Sequence, residues 1–119
     1  MEKLTQKEEE VMQALWQLKK AFVKEIVPQL SGSNHYNTVS TIVRKLEEKG
    51  YVAYEAFGKT HRYYPVIDKE VYRNTFVNSA MTRYFNDSYK NMVSFFAREE
   101  KITASDLREI LEMIESKEK

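Results

Sequence analysis

At 119 residues, with 42% hydrophobic and 13% aromatic side chains, the chain has material for one compact domain, or for one small domain with an appended helical arm. Its 19 basic and 18 acidic residues leave a net charge of +1, so contact with a polyanion would need basic residues gathered on one face. The absence of cysteine excludes disulfides, thiolate metal sites and a cysteine nucleophile; the opening MEKLTQKEEE lacks an apolar signal region, and no apolar run approaches the ~18 residues of a membrane span, so the expectation is a cytoplasmic chain without membrane insertion.

Thr5 followed by Glu8 is a capping-box signature. It opens a helix in which Val11, Met12, Leu15, Trp16 and Leu18 recur at helical spacing. A second, short helix is predicted over residues 23–30, with Ile26, Val27 and Leu30 inward; Pro28 would end or bend it unless it fell in the first turn. Ser31-Gly32-Ser33-Asn34 is a turn by composition. In the third helix, Val39, Ile42, Val43 and Leu46 make an apolar stripe, and Gly50 stands where a C-terminal cap belongs. Its other face carries Asn37, Thr38, Ser40, Thr41, Arg44, Lys45 and Lys49.

Two strands, 51–57 and 60–66, flank Gly58-Lys59 and predict a hairpin. Asp68 caps a long helix running to about residue 85, Asn86-Asp87-Ser88 breaks it, and another helix covers about residues 89–98. Thr103 and Asp106 cap a last helix striped by Leu107, Ile110, Leu111 and Ile114. The fold expected is mainly α with a small β-hairpin: a winged helix-turn-helix over residues 1–66, and a helical dimerisation arm over 67–119, with the joint near 66–68.

The polar face of the third helix is the first place for chemistry. A major groove accepts one α-helix, and short polar side chains near its N-terminus read base edges. Asn37, Thr38, Ser40 and Thr41 suit that task, while Arg44 and Lys45 could neutralise phosphates. Lys59, His61 and Arg62 at the hairpin tip have the charge of a wing lying on a duplex backbone. Tyr51, Tyr54, Phe57, Tyr63 and Tyr64 read as packing for a small sheet, the alternative being stacking on single-stranded bases.

His35 and His61 lie in different elements with no further ligands at metal spacing, so no metal and no cofactor is expected. The acidic runs at 8–10, 47–48 and 99–100 read as solvated surface. No phosphate loop and no nucleophile–base pattern stands out, which points away from an enzyme. Phe76, Met81, Tyr84, Phe85, Met92, Phe95 and Phe96, with the Leu107, Ile110, Leu111 and Ile114 stripe, exceed what short helices can bury alone, and predict a symmetric partner.

Three segments carry a resemblance: LTQKEEEVMQALWQLKKAFVKEIVPQL, NTVSTIVRKLEEKGYVAYEAFGKTHRYYPVIDKEVY and MVSFFAREEKITASDLREILEMI. They are similar to the penicillinase repressors (BlaI/MecI, with CopY as a copper-responsive branch). The resemblance implies a sequence-specific repressor acting as a homodimer on a palindromic double-stranded operator. It also implies DNA contacts from Asn37, Thr38, Ser40, Thr41, Arg44 and Lys45, helped by Lys59, Thr60, His61 and Arg62 of the wing. A membrane metallopeptidase sensor would act indirectly, with relief by proteolysis in the arm at an Asn-Phe bond. The corresponding pair here is Phe95-Phe96, without the asparagine. The copper branch's Cys-x-Cys hook is excluded because the chain has no cysteine. The alternative is a winged-helix interaction module without DNA affinity, which near-neutral charge permits.

Overall fold

A computed structural model describes residues 2–118 of the chain. Helix α1 (Gln6–Leu18) starts at the capping box: the Glu8 amide donates to Thr5 Oγ1 at 3.1 Å, and the Thr5 amide donates to Glu8 Oε1 at 2.8 Å. Two of the helix's orphan donors are thereby satisfied. Its inner face buries Val11, Met12, Ala14 and Leu15.

Ala21 and Phe22 form a short strand, β1 (Ala21–Phe22), ahead of α2 (Val23–Ile26). The second helix is shorter than the expected 23–30: it is one α-turn followed by a tighter turn over Val27–Gln29. Pro28 explains the change, since it has no N–H to return to the carbonyl four residues back. Helix α3 (Tyr36–Glu48) buries Val39, Val43 and Leu46 and half-buries Ile42. It closes at Gly50, whose φ of +82° suits glycine. The Gly50 amide donates to the Glu47 carbonyl at 3.0 Å and the Tyr51 amide to that of Leu46 at 2.9 Å, which turns the chain into the sheet.

β2 (Val52–Phe57) and β3 (Thr60–Pro65) pair antiparallel, with Tyr54 opposite Tyr63 and Glu55 opposite Arg62. The hairpin is not alone: β1 pairs with the other edge of β3, Ala21 opposite Tyr63, giving the order β1-β3-β2. A two-residue strand leaves no alternation to read, which is why the sequence predicts only two strands. Tyr51 and Tyr63 join the core with Leu4, Ile26, Leu30 and the buried faces of α1 and α3. Tyr54 and Phe57, expected to pack there, remain exposed.

Helix α4 (Lys69–Phe85) follows, and the described residues divide into two units between Arg73 and Asn74, inside it. Residues 67–72 belong with the first unit because α1 holds them. Trp16 Nε1 donates to the Ile67 carbonyl at 2.9 Å, the Trp16 and Tyr72 rings lie 5.6 Å apart, and the Tyr72 hydroxyl donates to Glu9 Oε2 at 2.9 Å. Burial and that carboxylate acceptor push the Tyr72 phenol up to about 12.

In the second unit α4 gives way to α5 (Tyr89–Arg98) and α6 (Ala104–Glu118). Asn86 and Asp87 both adopt positive φ, and Ser88 Oγ caps α5 by accepting from the Asn91 amide at 3.1 Å. Thr103 and Asp106 exchange two bonds of 3.0 Å at the start of α6, and the Thr103 amide and hydroxyl hold the Asp106 carboxyl below its ordinary value. Met81, expected at a dimer surface, is only 1% exposed within the chain and is not available for one. Phe76, Tyr84, Phe95, Ile110, Leu111 and Ile114 are exposed, while Phe85, Met92, Phe96 and Leu107 are half-buried. Among the described residues, no helix is long and apolar enough to cross a membrane.

Candidate nucleic-acid interface

Because α3 uses Val39, Val43 and Leu46 to pack on α1 and α2, its opposite face is left to solvent. Asn37, Thr38, Thr41, Arg44 and Lys45 are exposed there, and Ser40 is half-buried. Among the described residues, these five stay open to solvent. Thr41 is held in place by its hydroxyl, which donates to the Asn37 carbonyl at 3.0 Å within the helix. The structure places these six on one side of α3.

Lys49 departs from it. Its ammonium turns away from that face and donates to Glu8 Oε1 at 2.7 Å. Glu8, taken from the sequence as part of a solvated acidic run, is 3% exposed and is the buried charged residue of the core. Burial alone would push its carboxyl up. The bonds from Lys49 and from the amide and hydroxyl of Thr5 outweigh that and hold it below the ordinary value. The same bond raises Lys49 above its ordinary value. The Tyr51 hydroxyl, pushed up by burial, donates to the Glu2 carbonyl beside this pair. The cluster clamps the start of α1 to the end of α3. Only the capping box was visible in the sequence, because a carboxylate three residues into a helix reads the same whether or not a lysine 41 residues away reaches it.

The wing stands next to the exposed face of α3. Lys59, Thr60 and His61 share with Arg44 and Ser40 an open groove of about 380 Å³, further lined by Phe22, Val23, Lys24, Tyr36 and Tyr63. The His61 ring stacks on Tyr54 at 3.9 Å and 7°, so its plane is fixed at the groove's edge. Thr60 Oγ1 donates to the Phe57 carbonyl at 2.9 Å and tightens the turn at Gly58, whose φ is +62°. Arg62 is not brought to the groove: on β3 it alternates with His61 and Tyr63, which line the groove.

Lys24 and Tyr36 were missed by sequence reasoning. Tyr36, 53% exposed, is the first residue of α3, one ahead of the polar set, and Lys24 lies on α2 away from the inward positions Ile26, Val27 and Leu30. An exposed aromatic one residue before a polar helical face is a signal that could have found the first. Burial also pushes the Tyr63 phenol up, so it remains a neutral donor where it borders the groove.

Among the described residues no group of His, Asp or Glu is arranged to hold a metal ion. What the surface offers is a row of hydrogen-bonding side chains on a helix that can enter a groove, flanked by cations on two further elements.

The penicillinase repressor family model matches residues 4–116. The chain is similar to the penicillinase repressor of Bacillus licheniformis, 24% identical over 108 residues that span 89% of this chain and 84% of that protein. It is similar to the methicillin resistance regulatory protein MecI of Staphylococcus aureus (strain N315), 18% identical over 110 residues, 91% of this chain and 89% of that protein. A solved structure titled CopR repressor aligns with 56% of this chain and 100% of its own, at 28% identity and a TM-score of 0.46.

Proposed function

The chain belongs to the penicillinase repressor family, and from that premise we propose that this transcriptional repressor, which is not an enzyme, acts in the cytoplasm as a homodimer on a palindromic double-stranded operator. Each protomer inserts α3 into a major groove. Asn37, Thr38, Ser40 and Thr41 face base edges, Arg44 and Lys45 meet phosphates, and Lys59, Thr60 and His61 of the wing lie along the backbone, with Arg62 outside their groove. The observation that carries this reading is the polar face of α3: Asn37, Thr38, Thr41, Arg44 and Lys45, of readout and phosphate-contact types, are exposed together, with Ser40 half-buried among them. The domain roles follow, with the first unit reading DNA and the second, from Asn74 onward, joining the protomers.

The test is a gel shift with DNA from upstream of the chain's own coding sequence. Retardation that unlabelled unrelated duplex fails to compete away supports the repressor. No retardation at any protein concentration favours an interaction module without DNA affinity. Preferential competition by single strands would move the function to the aromatics of the hairpin.

Relief of repression is assigned to cutting within residues 92–98, at or near Phe95-Phe96, under a membrane metallopeptidase sensor that acts indirectly. Support comes from the family and from Phe95, which is exposed on α5. A chain that stays full-length on an immunoblot of induced cells removes this part of the reading.

A further inference from the structure

The groove beside α3 holds a cation that the readout above does not employ. Lys24, exposed on α2, borders the same 380 Å³ space as Arg44 of α3 and Lys59 and His61 of the wing. Two lysines and an arginine from three separate stretches of chain line it beside the His61 ring, and no carboxylate lines the space. Three other lysines of the first unit are neutralised by carboxylates: Lys20 pairs with Glu55 at 2.9 Å, Lys49 with Glu8 at 2.7 Å and Lys7 with Glu10 at 3.7 Å. Among the described residues, Lys24, Arg44 and Lys59 enter no ion pair. Like charges brought together without counter-charge repel one another, so the arrangement is most stable with an anion among them.

The walls narrow the choice of anion. Phe22, Tyr36 and Tyr63 supply flat carbon surface next to the cations, and the groove is open on one side. A backbone segment of a duplex has this combination: a charged phosphodiester joined to an apolar sugar face, extended through any opening. We propose that the groove seats one backbone phosphate of bound DNA, with Lys24 as its dedicated counter-charge and the Tyr36 ring against the adjoining deoxyribose. This rests on the operator reading above and deepens it. Seating one phosphate between α2, α3 and the wing fixes how far α3 sits along the major groove, while reading no base.

The experiment uses the full chain and two duplexes, its upstream DNA and a scrambled one, with affinity measured by fluorescence anisotropy from 50 to 200 mM salt. Lys24→Ala is expected to weaken both duplexes by the same factor. Its slope of log affinity against log salt should be about one unit shallower, so that raising salt over this range costs the variant roughly threefold less affinity than the wild type. Lys24→Arg should restore the slope, and Lys101→Ala, on the second unit, should leave it unchanged. Ethylation interference should identify one phosphate whose modification weakens the wild type and no longer matters to Lys24→Ala.

An unchanged slope in Lys24→Ala overturns the seat while leaving the operator reading intact, and so does a loss confined to the upstream duplex. Thermal stabilisation by inorganic pyrophosphate that disappears in Lys24→Ala, with DNA binding untouched, assigns the groove to a small phosphate compound and overturns the backbone assignment. A wild type that binds neither duplex brings down the operator reading itself.

Discussion

At the residue scale the least expected finding is Glu8. The same side chain completes a helix cap and holds a lysine at the far end of α3, both through Oε1. The carboxyl is depressed from its ordinary 4.5, so its contribution to stability is fully present above that value and is lost as pH falls through the lower, folded value. Lys49 is raised from 10.5, so its contribution is present below 10.5 and is lost as pH rises through the higher, folded value. Between these limits the pair is ionised and its contribution to stability is constant. Glu8→Gln is expected to lower stability at pH 7 by about 1–3 kcal/mol, because it leaves a charge-assisted bond unmade in a buried place. The gap from wild type should close as pH drops below 4.5 and the wild-type carboxyl protonates. Urea midpoints for both proteins at pH 7 and pH 3.5 check this; a gap of the same size at both pH values means that the ionised carboxylate is not what holds α1 to α3.

At the scale of elements, α3 illustrates how one helix divides its labour. Full burial of an aliphatic side chain is worth about 1.5–3 kcal/mol, so Val39, Val43 and Leu46 fix the helix by one stripe and leave the rest of its surface free of structural duty. Arg44 and Lys45 are therefore predicted to matter for binding and little for folding. The double variant Arg44→Ala, Lys45→Ala should keep its urea midpoint within about 0.5 kcal/mol of wild type. Its salt slope for operator binding should fall by about two units, one for each phosphate contact. An unaltered slope would take both residues out of the interface. The α3 stripe and the Gly50 cap were legible in the sequence because they follow from local spacing and from one backbone angle. The third strand was not, since β1 exists only through its pairing with β3.

For the whole molecule, the second unit leaves large apolar side chains in water. Phe76 is 62% exposed and Tyr84 69%, and Ile110, Leu111 and Ile114 are exposed along one helix. Patches of this kind mark association surfaces, and a two-fold partner would supply the second reading helix a palindrome needs. Replacing Leu111 and Ile114 with glutamate should convert a dimer into a monomer in sedimentation equilibrium. Operator affinity should fall by at least about tenfold, as the linkage between half-sites is lost. A wild type that sediments as a monomer at the concentrations where it binds DNA would end the dimer reading.

The sequence by itself determined what depends on near neighbours in the chain: the caps at Thr5 and Thr103, the stripes of α1 and α3, the hairpin turn, and the polar set on α3 from Asn37 to Lys45. Periodicity and capping act over three or four residues, so they are written locally. Only the tertiary structure decided what depends on residues far apart in sequence. It drew Lys49 off the polar face of α3 and onto Glu8, buried Met81, set Arg62 away from the groove, and brought Lys24 and Tyr36 into it. These are choices among surfaces that a single helix or strand offers equally well, and they are made by which other element packs against it.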